Sequence, residues 1–199
     1  MLRETSFREH NRNSSLAHMG APMARMTHED HKIAIDEIQD SPDRAAAIVA
    51  AAILETILEE GIVDRLLPMS NTHRDALFGG EASFATFSAK INLGLSLGLY
   101  GNKTKSDLNL IRKIRNEFAH YANRSFGHPE ISKHCALITN YRTEPEPEPT
   151  TTEVAAFYAK FPRIDLRWRF LYATSAIGLG ILRETSGNGR VPPNPTILA

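Results

Sequence analysis

Apolar residues recur along this chain at spacings of three and four positions, the period of one face of an α-helix. The clearest run predicts a helix over about residues 83–97. Its core-facing positions are Phe84, Phe87, Ile91, Leu95 and, just beyond it, Leu99. No segment alternates between apolar and polar positions in the way a half-buried strand does. The pattern therefore predicts an all-α fold, a bundle of about six to seven helices.

The predicted helices cover about residues 27–39, 41–60, 71–78, 83–97, 106–122, 128–140 and 166–185. Ser41 followed by Pro42 indicates a helix start, because serine is a preferred N-cap and proline fits the first helical turn. Gly61 is expected to end that helix. The helix has alanine and isoleucine on nearly every face, which predicts that it is buried among other helices. Gly101 to Lys105 is expected to form a turn, with Ser106 capping the next helix.

Three stretches lack helical patterning and suggest the domain organisation. Residues 1–26 are rich in Arg, Ser, Asn and Met and are expected to be a disordered tail. Residues 27–185 are expected to form one helical domain, interrupted by a Pro/Glu-rich loop at residues 143–153. Residues 186–199 are expected to be a flexible C-terminal tail.

Composition narrows the functional classes. Lys plus Arg is 23 and Asp plus Glu is 23, so the formal net charge is zero, which argues against a protein that grips DNA by itself. Residues 72–98 are a candidate helix-turn-helix, but the second of its two predicted helices has Lys90 as its sole basic residue. A recognition helix needs several polar side chains to read bases, so we do not expect this motif to bind DNA. Cys135 is the single cysteine, which excludes an internal disulfide and a Cys-cluster zinc site. The longest apolar stretch has 13 residues, whereas a membrane-spanning helix needs about 20, so we expect a cytoplasmic protein. We also expect no bound metal or cofactor.

The helix predicted from Ser106 carries the most specific pattern. Arg112, Asn116 and His120 follow one another at i, i+4 and i+8, and a helical wheel places this polar stripe opposite the apolar face. Arg115 falls on the boundary between the two faces. Between residues 101 and 126 basic residues exceed acidic ones by four, although the whole chain is neutral. This polarity favours an anionic partner.

Two segments of the chain form a paired motif. The first is an F-x-T-F-S-x-K-I run, and the second is L-x-x-I-R-x-I-R-N-x-F-A-H. Their residues are Phe84, Thr86, Phe87, Ser88, Lys90 and Ile91, then Leu108, Arg112, Arg115, Asn116, Phe118, Ala119 and His120. Together the two segments resemble the mannitol-operon repressor family. The resemblance covers about residues 45–140 and implies an all-helical regulator of carbohydrate-operon transcription.

With the neutral charge, this resemblance predicts a regulator that works through a protein partner and does not bind specific DNA sequences alone. We also expect a homodimer in which the stripe meets its symmetry mate. The expected binding and interface residues are Arg112, Lys113, Arg115, Asn116 and His120. A third alternative, an inert scaffold or a stress-related adaptor, is open.

The same helix is similar to a second pattern, the R-N-x-x-x-H motif of HEPN domains, many of which are metal-independent ribonucleases. Arg115, Asn116 and His120 supply that motif. In such an enzyme His120 would transfer protons, Arg115 would stabilise charge on the phosphate and Asn116 would orient either group. This alternative predicts RNA as substrate or ligand, with a site completed across a dimer.

The remaining candidates have ordinary structural interpretations. His28 and His31 lie three residues apart and are expected to be a surface pair, since no third metal ligand is identifiable. Cys135 is expected to be a packed residue. The glycines of the later helices are expected to allow close helix contacts, and they are Gly94, Gly98, Gly178 and Gly180.

Overall fold

A computed structural model describes residues 25–140 and 165–186. These residues form seven helices and no strand, which confirms the predicted all-α bundle. The helices are α1 His28–Ile38, α2 Asp43–Arg65, α3 Asn71–Phe78, α4 Phe87–Ser96, α5 Asn102–His120, α6 Pro129–Leu137 and α7 Leu166–Ser186. The Pro/Glu-rich loop, residues 187–199 and nearly all of the predicted N-terminal tail lie outside the described residues. In the described part, no helix combines the length and hydropathy needed to cross a membrane.

α2 is the central helix and packs against α1, α4, α5 and α7. Its core positions are fully buried and include Ala46, Ala50, Leu54, Ile57 and Ile62. One face is nevertheless uncovered, because Ala45, Val49, Ala52 and Thr56 are exposed in the described chain. The expectation that α2 is buried on nearly every side is therefore wrong for this face.

Both predicted ends of α2 are also wrong. The Ser41 hydroxyl does not cap α2 but donates to the Ile38 carbonyl oxygen (2.8 Å), so it closes α1 instead. Gly61 does not end α2, which continues to Arg65. A Cβ at Gly61 would lie 2.7 Å from Cγ2 of Ile181, so this glycine lets α7 approach α2 closely.

α5 begins earlier than predicted, at Asn102, with Gly101 as its N-cap residue. Ser106 lies one turn inside the helix, and its hydroxyl donates to the Asn102 carbonyl oxygen (3.0 Å). The expected turn at residues 101–105 is thus the first turn of α5. Since the hydroxyl is satisfied within the helix, serine is compatible with this interior position.

α4 is shorter than predicted and has well-defined ends. Thr86 caps it, because its side-chain oxygen accepts a hydrogen bond from the Ala89 N–H (3.2 Å). At the other end Gly98 adopts a φ of 68°, a conformation that favours glycine. The Leu99 N–H then donates to the Gly94 carbonyl oxygen (3.0 Å), which completes a Schellman motif.

α6 ends at Leu137, whereas the sequence predicted an end near Asn140. The buried carboxylate of Asp107 on α5 holds the chain that follows α6. Asp107 accepts hydrogen bonds from the backbone N–H groups of Thr139 (3.0 Å) and Asn140 (2.6 Å). It also accepts one from the Asn140 side-chain amide (2.8 Å). The N–H groups of residues 139 and 140 are thus bound by a side chain and not by carbonyls of the preceding turn, so α6 stops before them.

A second set of contacts joins the start of α2 to α7 and to the loop between α5 and α6. The Arg167 guanidinium pairs with Asp43 (Nη1–Oδ1, 2.6 Å) and donates to the carbonyl oxygens of Gln39 (2.8 Å) and Ser41 (2.6 Å). The other carboxylate oxygen of Asp43 accepts the Phe126 N–H (3.0 Å). The α5–α6 loop is therefore held beside the N-terminal end of α2.

Candidate functional site

A buried lysine links α4 to α2. The Lys90 side chain is 8% exposed, and its ammonium group lies 3.2 Å from Oε1 of Glu55 and 3.0 Å from Oε2 of Glu59. The two carboxylates are one helical turn apart on α2. A lysine this deep is stable only with such partners, because burying an unpaired ammonium group costs several kcal/mol.

Two arginines complete this charged network. Arg115 on α5 pairs with Glu55 (Nη2–Oε2, 3.2 Å), and its guanidinium carbon lies 5.9 Å from the centroid of the Phe87 ring. Arg74 on α3 donates twice to Oε1 of Glu59, from Nη2 (2.7 Å) and from Nε (3.0 Å). Burial raises the pKa of Glu59, but the bonds from Arg74 and Lys90 outweigh it and leave that pKa below its ordinary value.

The network explains much of the two-part motif. Lys90 from the first segment and Arg115 from the second converge on Glu55, so the segments are joined through α2. Other motif residues cap or fill the bundle: Thr86 caps α4, while Phe87, Ile91, Leu108 and Phe118 are buried. Most of the motif therefore has a role in holding the fold.

The α5 stripe, comprising Arg112, Asn116 and His120, has no such role among the described residues. His120 is exposed, while Arg112 and Asn116 are half-buried. The buried residues of α5, which include Asp107, Ile111, Ile114 and Phe118, lie on the other side of the helix from the stripe. Within residues 25–140 and 165–186, no hydrogen bond or ion pair occupies the side chains of Arg112, Asn116 or His120.

The exposed Lys113 adjoins the α5 stripe, and it is also without an ion pair in the described part of the chain. Tyr121, which follows the last residue of α5, is 48% exposed. The outer surface of α5 therefore combines unpaired cationic and amide side chains with an exposed aromatic ring at its C-terminal end.

The three residues of the R-N-x-x-x-H motif are not brought together within one chain. Arg115 turns toward Glu55 and the Phe87 ring, on the inner side of α5. His120 is the last residue of the helix and is exposed, and Asn116 contacts neither through a hydrogen bond. In a single chain this arrangement does not aim the guanidinium and the imidazole at one phosphate.

Sequence reasoning missed a cluster at the C-terminal end of α5, which we call the basic corner: Arg44, His120, Tyr121, Arg124 and His128. The Arg44 guanidinium donates to the carbonyl oxygens of Phe118 (2.9 Å) and Ala119 (3.2 Å) and so caps α5. The guanidinium carbon of Arg124 lies 4.4 Å from the centroid of the Tyr121 ring, a cation–π contact. Arg124 also contacts the His128 imidazole.

The histidine pair of α1 is not a surface pair. His28 is exposed, but His31 is only 2% exposed and lies against α7, where Gly178 leaves room for its ring. Burial, with a smaller effect of His28, lowers the pKa of His31. Among the described residues, no three His, Cys, Asp or Glu side chains are placed to hold a metal ion.

Cys135 is buried, as expected for a packed residue. Burial raises the pKa of its thiol to about 12, so the reactive thiolate is scarce at neutral pH.

A cleft of about 230 Å³ lies between the start of α1 and the ends of α2 and α7. Burial raises the pKa of its carboxylate Glu60, and the Arg25 guanidinium pairs with Asp64 at its edge.

Comparisons with known proteins bear on the fold. No family model matches the chain, and no curated protein matches it. Its structure is similar to a solved one, the X-ray structure of the MtlR–HPr complex from Escherichia coli. The TM-score is 0.54 at 17% sequence identity, and the match covers 76% of this chain and 98% of the other. The chain therefore has an MtlR-like helical fold.

Proposed function

We propose that this chain is a regulatory protein that binds a protein partner through the α5 stripe and the adjacent Lys113. The further step, repression of a carbohydrate operon through that partner, belongs to the same proposal. The fold likeness supports it, because the similar protein was crystallised in complex with HPr. HPr is therefore the first partner to test.

The observation that carries the proposal is the contrast within the motif. Its other polar residues are engaged, as Thr86 caps α4 while Lys90 and Arg115 bind Glu55. Arg112, Asn116 and His120 have no hydrogen bond or ion pair in the described chain. Polar side chains that the fold leaves unpaired on one helix surface are available to a partner.

Charge distribution supports a protein over a DNA operator as the direct ligand. The chain is neutral, whereas residues 101–126 carry four more basic than acidic residues. Binding to duplex DNA would require several phosphates to be neutralised at once. A short basic surface is sufficient to orient an oppositely charged protein and to speed its association.

The direct test is isothermal titration of the full chain with HPr, together with capture of binding proteins from native lysate. We expect a stoichiometric protein complex whose affinity falls about tenfold when Arg112 and Lys113 are both replaced by alanine. The matched control is Lys103→Ala, which removes another exposed lysine of α5 away from the stripe. Absence of any protein complex, or equal losses in the control, would overturn the proposal.

A second proposal is the metal-independent ribonuclease suggested by the HEPN-like motif. Its specific support is the His120 imidazole, which is exposed and without a hydrogen-bond partner in the described residues. Because Arg115 and His120 point to different sides of α5 in one chain, the phosphate-binding cation beside His120 would come from a second copy.

That enzyme would cleave single-stranded RNA in the presence of a chelator, and His120→Ala would abolish cleavage without loss of helix content. His73→Ala is the matched control, since His73 is exposed on α3. Cleavage that persists in His120→Ala protein would exclude His120 as the proton-transfer group.

A further inference from the structure

The basic corner has more hydrogen-bond donors than acceptors. An arginine can only donate, so the contact between Arg124 and Nε2 of His128 requires that nitrogen to accept. The other ring nitrogen of His128, Nδ1, is buried and has no hydrogen-bond partner in the described chain. The Nε of Arg124 is likewise buried without a hydrogen bond.

Few carboxylates lie on the described surface beside these donors. Glu117 is 3.7 Å from Nε of Arg124, which is within ion-pair range but too long for a hydrogen bond. Asp43, near the same loop, is occupied by Arg167 and by the Phe126 N–H. Positive charge at the corner is therefore only partly compensated.

The corner is also open to a partner. Arg44, His120 and Tyr121 are exposed, and Arg44 holds its charge at the end of α5 by binding the carbonyl oxygens of Phe118 and Ala119. The Tyr121 ring supports the Arg124 guanidinium from one face, which fixes the orientation of that group. A fixed guanidinium loses little side-chain entropy when it binds a carboxylate.

We infer that the basic corner binds the carboxylate side chains of an acidic segment on the protein partner. A carboxylate can accept a hydrogen bond from the exposed His120 imidazole, which has no partner in the described chain, and an arginine guanidinium fits carboxylate geometry. This inference rests on the proposed function and adds the chemistry of the partner. The described residues supply one exposed aromatic ring here, Tyr121, and Arg124 already covers one of its faces, so stacking of successive RNA bases is not favoured.

The test is fluorescence anisotropy of a labelled oligoglutamate peptide with the full chain. We expect binding that weakens steeply as NaCl rises from about 50 to about 200 mM, because exposed charges are screened. Arg124→Gln and Arg44→Gln should each weaken peptide binding about fivefold, the effect of losing one charge-assisted contact. The matched control is Arg183→Gln, an exposed arginine near the other end of the bundle, which should change binding less than twofold.

Two variants are needed because either arginine also supports the local fold, so helix content is checked for each. Peptide binding that is absent at low salt, or that falls equally in Arg183→Gln, would overturn the inference. Tighter binding of oligouridylate RNA than of the peptide, lost in the same variants, would overturn the protein assignment. A partner complex that forms normally while peptide binding fails would sink this inference alone and leave the proposed function standing.

Discussion

Replacement of Lys90 by methionine tests the charged network that joins the two halves of the motif. The change keeps an unbranched side chain, one atom shorter, but removes an ammonium group held 3.2 Å from Glu55 and 3.0 Å from Glu59. Breaking a fully buried ion pair costs about 3–5 kcal/mol. Here the carboxylates are 21% and 18% exposed and each keeps an arginine partner, so we expect a loss of about 2–3 kcal/mol.

Urea unfolding followed by circular dichroism measures this loss, and Lys32→Met is the control. Lys32 is exposed on α1, so its replacement should change the free energy of unfolding by less than about 0.5 kcal/mol. A Lys90→Met protein as stable as its parent would refute the idea that the network holds α4 against α2. A Lys90→Met protein more stable than its parent would also refute this idea, because the free-energy cost of desolvating the charges would then exceed the gain from pairing them.

The pH dependence of the free energy of unfolding is an independent check on the same variant. The pKa of Glu59 is lowered in the folded chain, so its pairing stabilises the protein above the unfolded value near 4.5. This stability is lost as the pH falls through the lower folded pKa. The difference between parent and Lys90→Met should therefore shrink below about pH 4.5. A difference that stays constant down to strongly acidic pH would show that packing, and not charge, causes the loss.

Gly94→Ala should destabilise the fold by about 1–3 kcal/mol, because its Cβ would lie 2.6 Å from Oη of Tyr100 and 3.1 Å from Cδ1 of Leu58; an unchanged urea midpoint would contradict this. Since burial lowers the pKa of His31, the unfolded chain takes up a proton first, and stability should fall as the pH drops below about 6.5. His31→Gln should flatten that dependence, and a dependence equal to the parent's would exclude His31 as its source. The purified chain should not footprint a defined operator at physiological salt, where a clear footprint without added protein would contradict the neutral-charge reasoning.

The helices were predictable because their apolar spacing is regular, but several ends were not. Ser41 and Ser106 have the residue type of an N-cap, yet each hydroxyl bonds backward to a carbonyl of the preceding turn. Gly61 has the residue type of a helix stop but serves a contact with Ile181. Local preferences of about 1 kcal/mol cannot decide such positions once a neighbouring helix is packed against them.

The site was predictable only in part. The α5 stripe could be predicted from the spacing of residues within one helix. The charged network could not, because it depends on Glu55 and Glu59, which lie on a different helix, α2. Their signal was nonetheless present: a pair of glutamates one turn apart in an apolar helix, and a lone lysine in another. The basic corner joins residues as far apart as Arg44 and His128, so a spacing rule within one segment could not assemble it.

Hydrogen exchange of the full chain, free and in complex with its captured protein partner, tests directly whether the partner binds at α5. We expect slower exchange on binding in the C-terminal half of α5 and in the following loop, about residues 112–128, where the α5 stripe and the basic corner lie. Exchange around Lys90 in α4 should stay unchanged, since its partners lie inside the chain. Protection confined to α3, α4 or α7, with α5 unaffected, would show that the partner binds elsewhere and would refute the proposed site.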